Sequence, residues 1–210
     1  MKTMLSGIKP SGQMTLGNYI GALKNFVAYQ DEYEMMVFIA NLHCITGPQD
    51  PATLKKNLKD AVALYLACGL DPNKATIFLQ SDVLEHAQMG WIVNCHTYLG
   101  ELNRQTQYKD KVAKGETSLS AGLYTYPALM AADILIYDAD YVPVGEDQKQ
   151  HVELCRDLAE RFNNRYGNTF IAPEPLIVIV SVIPYISFVF PKFTAFVIAS
   201  EFSLVVAVDT

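Results

Sequence analysis

Tyr141-Val142-Pro143-Val144-Gly145-Glu146-Asp147-Gln148-Lys149-Gln150-His151 is a short apolar strand running into a long amphipathic helix. Gly145 lets the backbone approach a ligand closely. Asp147 and Gln148 place a carboxylate and an amide at the mouth of the helix. Open α/β sheets hold nucleotides and small substrates at such strand–glycine–polar–helix junctions. The pattern also describes an ordinary capped helix start, so this run alone leaves both readings open.

A second junction of the same kind opens the chain. Leu5-Ser6-Gly7 ends a short buried strand, and the loop Ile8-Lys9-Pro10-Ser11-Gly12-Gln13-Met14 follows it. Thr15 is a plausible N-cap for a helix from about Gly17 to Tyr29, with Ile20, Leu23, Phe26 and Val27 on one face. Met35 to Ala40 reads as a second strand. Asp50-Pro51 opens a helix whose stripe is Leu54, Leu58, Ala61, Val62 and Tyr65, and Gly69 stops it. Thr76 to Gln80 is a third strand. Helices are expected from about Glu85 to Leu99 and from Glu101 to Tyr108, then a mobile polar loop from Lys109 to Ser118. Ser120 to Tyr137 reads as a helix kinked at Pro127. After the strand at Tyr141 comes the helix Gln148–Tyr166, with Val152, Cys155, Leu158, Ala159 and Phe162 inward. Strands alternating with helices predict an α/β fold with a parallel sheet covered on both faces.

A chain of 210 residues holds one well-cored domain with at most a small appendage. The net charge of −6 argues against a broad basic face for DNA, while leaving room for a local basic patch or an RNA partner. Cys44, Cys68, Cys95 and Cys155 are scattered without a CxxC pair and read as free thiols. With no apolar leader at Met1–Gly7, the expected location is cytoplasmic. From Leu176 the pattern breaks. Residues 176–210 are almost wholly apolar and β-branched, with only Lys192, Glu201 and Asp209 charged. Pro184 and Pro191, and an uncharged run shorter than the ~20 residues of a span, argue against a membrane segment. Buried strands are a second reading. The favoured reading is a tail foreign to the rest, frameshifted or chimeric. The expected domains are therefore 1–175 and an appended 176–210.

The first junction can hold phosphate. Pro10 and Gly12 shape a tight loop around Ser11, and Thr15, Gly17 and Asn18 open a helix whose free N–H groups attract anions. A capped helix without a ligand remains the alternative, and no Walker A or GxGxxG pattern is present. In Tyr126-Pro127-Ala128-Leu129-Met130-Ala131-Ala132-Asp133, a carboxylate sits in an apolar helix on the face of Tyr126 and Met130. It needs a donor. That donor is either a neighbouring arginine or a ligand in an aromatic and methionine-lined pocket. His43 can line a pocket at a strand end. His151 reads as a solvated helix residue, Trp91 as core, and Lys109 and Lys111 as solvated or, less often, as folding over a polyphosphate. No His/Cys set has zinc-ligand spacing, so no metal site is expected.

Gly7-Ile8-Lys9-Pro10-Ser11-Gly12 followed by Thr15-Leu16-Gly17-Asn18-Tyr19 resembles the tryptophanyl-tRNA synthetase form of the class I HIGH signature. Tyr126 to Leu135 and Val142 to His151 resemble two further hallmarks of that family. The resemblance spans residues 1–175. Tyrosyl enzymes share the fold, but Met130-Ala131-Ala132-Asp133-Ile134-Leu135 points to tryptophan.

The resemblance implies a Rossmann-like catalytic domain, ATP and Mg2+, L-tryptophan and tRNA(Trp) as partners, a homodimer, and no membrane. By position, Lys9, Pro10, Ser11, Gly17 and Asn18 hold ATP, with Gly145, Glu146 and Asp147 on the adenosine side. Thr15, Asn18 and Lys111 serve catalysis. Asp133 accepts the indole N–H, and Tyr126, Met130, His43, Val142, Val144 and Gln148 line the amino-acid pocket. An acceptor-only carboxylate suits indole, which offers one donor, and rejects phenylalanine by roughly 10⁴-fold or more. Leu5 and Asn41 stand where aromatic and acidic residues are common in the family. Family members continue beyond about residue 175 into a KMSKS lysine loop and an anticodon-reading domain. This sequence carries neither, so the expectation is weak binding, impaired activation and no tRNA charging.

Overall fold

The computed structural model describes residues 1–10, 19–115, 119–145 and 148–177. The chain divides into two units, Met1–Val178 and Ile179–Thr210, and the second lies outside the described residues. The three readings of the tail therefore fall almost wholly outside them too.

Among the described residues, β1 (Thr3–Ile8), β2 (Glu34–Ile39), β3 (Ala75–Leu79), β4 (Tyr141–Val144) and β5 (Glu174–Ile177) form one sheet in the order β3-β2-β1-β4-β5. Every pairing is parallel, so each connection must cross over, and helices do this. A π-helical turn, Tyr19–Leu23, and α1 (Lys24–Tyr29) join β1 to β2. α2 (Asn41–Cys44) and α3 (Pro51–Ala67) lead to β3. α4 (Glu85–Asn94), α5 (Leu99–Leu102), α6 (Thr106–Ala113) and α7 (Ala121–Leu135) lead to β4, and α8 (Lys149–Tyr166) to β5.

Strand side chains alternate between two buried faces. Met4, Met35, Val37 and Ile39 pack with Phe26, Ala61 and Tyr65 from α1 and α3. Leu5, Phe38, Val142 and Val144 pack with Ala128, Ala131, Val152, Cys155 and Leu158 from α7 and α8. Local signals set the helix ends. The Asp50 carboxylate accepts the Thr53 N–H at 2.7 Å, with Pro51 in the first turn. Gly69 follows α3 with φ +102°, a backbone state that disfavours side chains.

Several expectations are corrected. The helix from Glu85 ends at Asn94 rather than Leu99. The Thr97 hydroxyl donates to the Val93 carbonyl at 2.9 Å and His96 Nδ1 meets the Ile92 carbonyl at 2.8 Å, so side chains take over the last carbonyls. Lys109 to Ala113 belong to α6 rather than to a loop, and the turn follows at Gly115; residues 116–118 lie outside the described set. Trp91 is 70% exposed, because α4 buries His86 and Val93 and turns Trp91 outward. His151 is buried, on the same stripe of α8 as Cys155. A fifth strand, β5, was not anticipated; Pro173 and Pro175 obscure its signal.

Candidate functional site

The strand order steps to opposite sides of β1: β2 lies on one flank and β4 on the other. Such a switch point leaves a crevice at the carboxyl ends of the strands. Here β1 and β4 pair only at Met4↔Tyr141. Pro143, with no N–H, cannot extend that ladder. Beyond the pair lies a cleft of about 450 Å³. Its floor is Ser6, Gly7, Ile8 and Lys9 from the end of β1 and Val142, Pro143, Val144 and Gly145 from β4. One wall is α7, with Tyr126, Met130 and Asp133; His43 and Gln148 stand at other sides.

Asp133 is the chemical centre. It is fully buried. Gln80 Nε2 donates to its Oδ1 at 2.8 Å and His86 Nδ1 lies 2.7 Å from the same oxygen. His43 Nε2 lies 2.7 Å from Oδ2. Burial pushes the carboxyl up, but the hydrogen bonds from His43, His86 and Gln80 outweigh it and hold the group below the usual carboxylate range. These partners replace the arginine weighed on sequence grounds. A carboxylate has about four acceptor sites. Three donors fill both positions on Oδ1 and one on Oδ2, which by this count leaves one acceptor position on Oδ2 of a residue that lines the cleft.

The surroundings suit a flat apolar group. The His43 ring meets Tyr126 edge to face, with centroids 6.1 Å apart. Tyr126 Oη lies 2.5 Å from His151 Nε2, which ties α7 to α8 and uses the histidine that the sequence placed in solvent. Met130 stands between Tyr126 and Asp133 on the same helix face, and Val142 and Val144 line the same cleft.

The fold thus brings Lys9, His43, Tyr126, Met130, Asp133, Val142, Val144, Gly145 and Gln148 to one cleft. Pro10, which follows Lys9 in the chain, is buried. Ser11, Thr15, Gly17, Asn18, Glu146 and Asp147 lie outside the described residues. Lys111 stands in the last turn of α6 and is not among the residues lining the cleft. Gln80, His86 and Tyr137 were missed by sequence reasoning. Gln80 looked like the end of a strand and His86 like one more helix residue. Among the described residues no group of three or more His, Cys, Asp or Glu side chains is placed to hold a metal ion, and no helix is long and apolar enough to cross a membrane.

Residues 1–185 match the family model described as class I tRNA synthetases (W and Y). A tryptophan–tRNA ligase from Caldanaerobacter subterraneus subsp. tengcongensis is 58% identical over 177 residues, covering 84% of this chain and 54% of that protein. One from Listeria monocytogenes is 60% identical over 176 residues, covering 84% and 53%. The chain thus spans about half the length of the curated relatives it matches. Among solved structures, the tryptophanyl-tRNA synthetase of Campylobacter jejuni complexed with ADP and tryptophan is 48% identical with a TM-score of 0.79, over 83% of this chain and 55% of that one. A tyrosyl-tRNA synthetase from Archaeoglobus fulgidus, 20% identical with a TM-score of 0.70 over 84% of this chain and 54% of that one, shares the fold.

Proposed function

The chain belongs to the class I tRNA synthetases for tryptophan and tyrosine, and from that premise we propose that it carries the tryptophan- and ATP-binding site of a tryptophan–tRNA ligase. One observation carries the choice of amino acid. Asp133, ionised and held by three donors, has one acceptor position left by count and lines a cleft together with Tyr126, Met130, Val142 and Val144. Indole has one N–H donor and no acceptor, so it fills that position and itself needs no second bond. A tyrosine hydroxyl can also donate, but its oxygen brings lone pairs that Met130, Val142 and Val144 cannot satisfy.

ATP is assigned to the strand ends and helix mouths. Lys9, Pro10, Ser11, Gly17 and Asn18 would hold the phosphates, and Gly145, Glu146 and Asp147 the adenosine. Thr15, Asn18 and Lys111 would stabilise charge during transfer, with Mg2+ carried in on the triphosphate. The reaction is attack of the tryptophan carboxylate oxygen on the α-phosphorus. The bond to the bridging oxygen breaks, giving tryptophanyl-adenylate and pyrophosphate. No protein nucleophile is needed, so catalysis is positioning and charge stabilisation. Transfer to tRNA(Trp) and a cytoplasmic location follow from the same reading. So does a homodimer, which the exposed apolar side chains Leu84, Trp91, Ile92 and Leu99 on and around α4 and α5 support.

The second reading is a module that binds tryptophan or ATP without turnover. Tryptophan-dependent ATP–pyrophosphate exchange separates the two. Exchange clearly faster than that of an Asp133→Ala control supports the ligase. Exchange equal to the control leaves the binding module, and tyrosine-driven exchange exceeding tryptophan-driven exchange overturns the choice of amino acid.

A further inference from the structure

Asp133 faces the cleft, but much of what holds its carboxylate lies behind it. Gln80 and His86 are fully buried and neither lines the cleft. The Gln80 amide is oriented by its own partner: Oε1 accepts the Leu42 N–H at 3.0 Å, so Nε2 faces Asp133. His86 is strung between two oxygens, with Nδ1 2.7 Å from Asp133 Oδ1 and Nε2 2.8 Å from Tyr137 Oη. Burial, with Asp133 and Glu85 nearby, pushes the Tyr137 phenol up to about 12. It therefore keeps its proton at neutral pH and can donate it. An ionised carboxylate only accepts. The neutral imidazole that satisfies both contacts carries its proton on Nδ1 and accepts from Tyr137 at Nε2. Phe38 and Phe78 lie against the His86 ring, with centroids 5.7 and 6.1 Å away, and limit its rotation.

We infer that Gln80, His86 and Tyr137 are positioning residues for amino-acid selection: Gln80 and His86 occupy Asp133 Oδ1, Tyr137 holds His86 in the tautomer that donates, and a position on Oδ2 is so reserved for the N–H of the substrate's indole. The inference rests on the function proposed above and deepens it. Without these donors the carboxylate is free to turn, and burial favours its protonated form, which presents a hydroxyl where an acceptor is needed. The apolar walls would still hold a bicyclic ring. What is lost is the ability to tell an N–H from its absence.

The test compares tryptophan with β-(3-benzothienyl)alanine, in which sulfur replaces the N–H at nearly the same shape. The unaltered chain is expected to prefer tryptophan by about 100-fold in equilibrium binding. His86→Leu is expected to reduce that ratio by about 10-fold or more. His86→Asn, which keeps a donor near the place of Nδ1, restores most of it. Tyr137→Phe removes one oxygen and little packing. It lowers the ratio and shifts the His86 tautomer away from Nδ1–H in ¹⁵N NMR, and it carries the test if His86→Leu fails to fold. Parallel loss of affinity for both ligands, with the ratio unchanged, makes these residues merely structural and overturns the inference. So does an Nε2–H tautomer in the unaltered chain. If the unaltered chain binds neither ligand, the proposed function fails first and the inference with it.

Discussion

The ring of Phe38 lies directly on the backbone of Gly7: a Cβ built there would stand 2.4 Å from the ring's Cζ. The two residues are register partners on neighbouring parallel strands, β2 and β1. Phe38 cannot easily yield, because it stacks on Phe78 with centroids 5.8 Å apart and lies tilted against His86 at 5.7 Å. Gly7 also lines the cleft, so the close approach shapes its floor. Gly7→Ala is expected to cost about 1–3 kcal/mol by overpacking, lowering Tm by several degrees. Phe38→Leu in the same chain should recover part of the loss. A melting curve of Gly7→Ala matching that of the unaltered chain would mean the contact is looser than described.

Arg161 and Glu101 tie α8 to α5. The guanidinium binds both carboxylate oxygens, donates to the His96 carbonyl at 2.8 Å and lies 4.2 Å from the centre of the Tyr98 ring. Arg161→Met leaves a largely buried carboxylate without its cation and is expected to destabilise by about 3 kcal/mol. Adding Glu101→Gln should give some of that back, and a double-mutant cycle by urea denaturation measures the coupling.

Acid should unfold the chain through its buried carboxylates. Burial pushes Asp133 and Glu101 up, yet their hydrogen bonds, from His43 and His86 in one case and Arg161 and the Tyr98 N–H in the other, hold both below their ordinary values. A depressed carboxylate favours the folded state above the unfolded value of roughly 4. That contribution shrinks as pH falls through the folded value. Urea denaturation between pH 7 and 3 should show stability falling steeply below about pH 4, with uptake of protons on unfolding. Asp133→Asn should be less stable at neutral pH and flatter in acid. An equally steep fall in that variant would place the acid sensitivity elsewhere.

Tyr126 and His151 couple α7, one wall of the cleft, to α8 through their 2.5 Å contact. Tyr126→Phe is expected to cost about 1 kcal/mol of stability and to weaken tryptophan binding several-fold. Thermal shift with and without the amino acid reads both effects. Unchanged ligand stabilisation would confine the contact to a structural role.

Much of this was legible in the chain because local patterns carried it. The strand–glycine–helix run at Val144-Gly145 and the Asp50-Pro51 start need no distant partner to be read. Asp133 announced itself as a carboxylate misplaced in an apolar helix. Its partners did not, since Gln80 and His86 lie 53 and 47 residues away and only the sheet topology brings them close. His151 was hidden by its polar neighbours Lys149, Gln150 and Glu153. Its spacing to Cys155 along the buried stripe was the signal that could have found it. Trp91 misled because a large aromatic says nothing by itself about which helix face is covered. β5 escaped because prolines flank and interrupt it.

Calorimetric titration of L-tryptophan into this chain and its Asp133→Ala variant tests the central claim most directly, with L-tyrosine as the competing ligand. The account predicts saturable one-site binding of tryptophan, weaker binding of tyrosine, and a loss of about 100-fold or more in the variant, as expected for removing a buried charged acceptor. Tryptophan binding unchanged by Asp133→Ala, or tyrosine binding the more tightly, would contradict it.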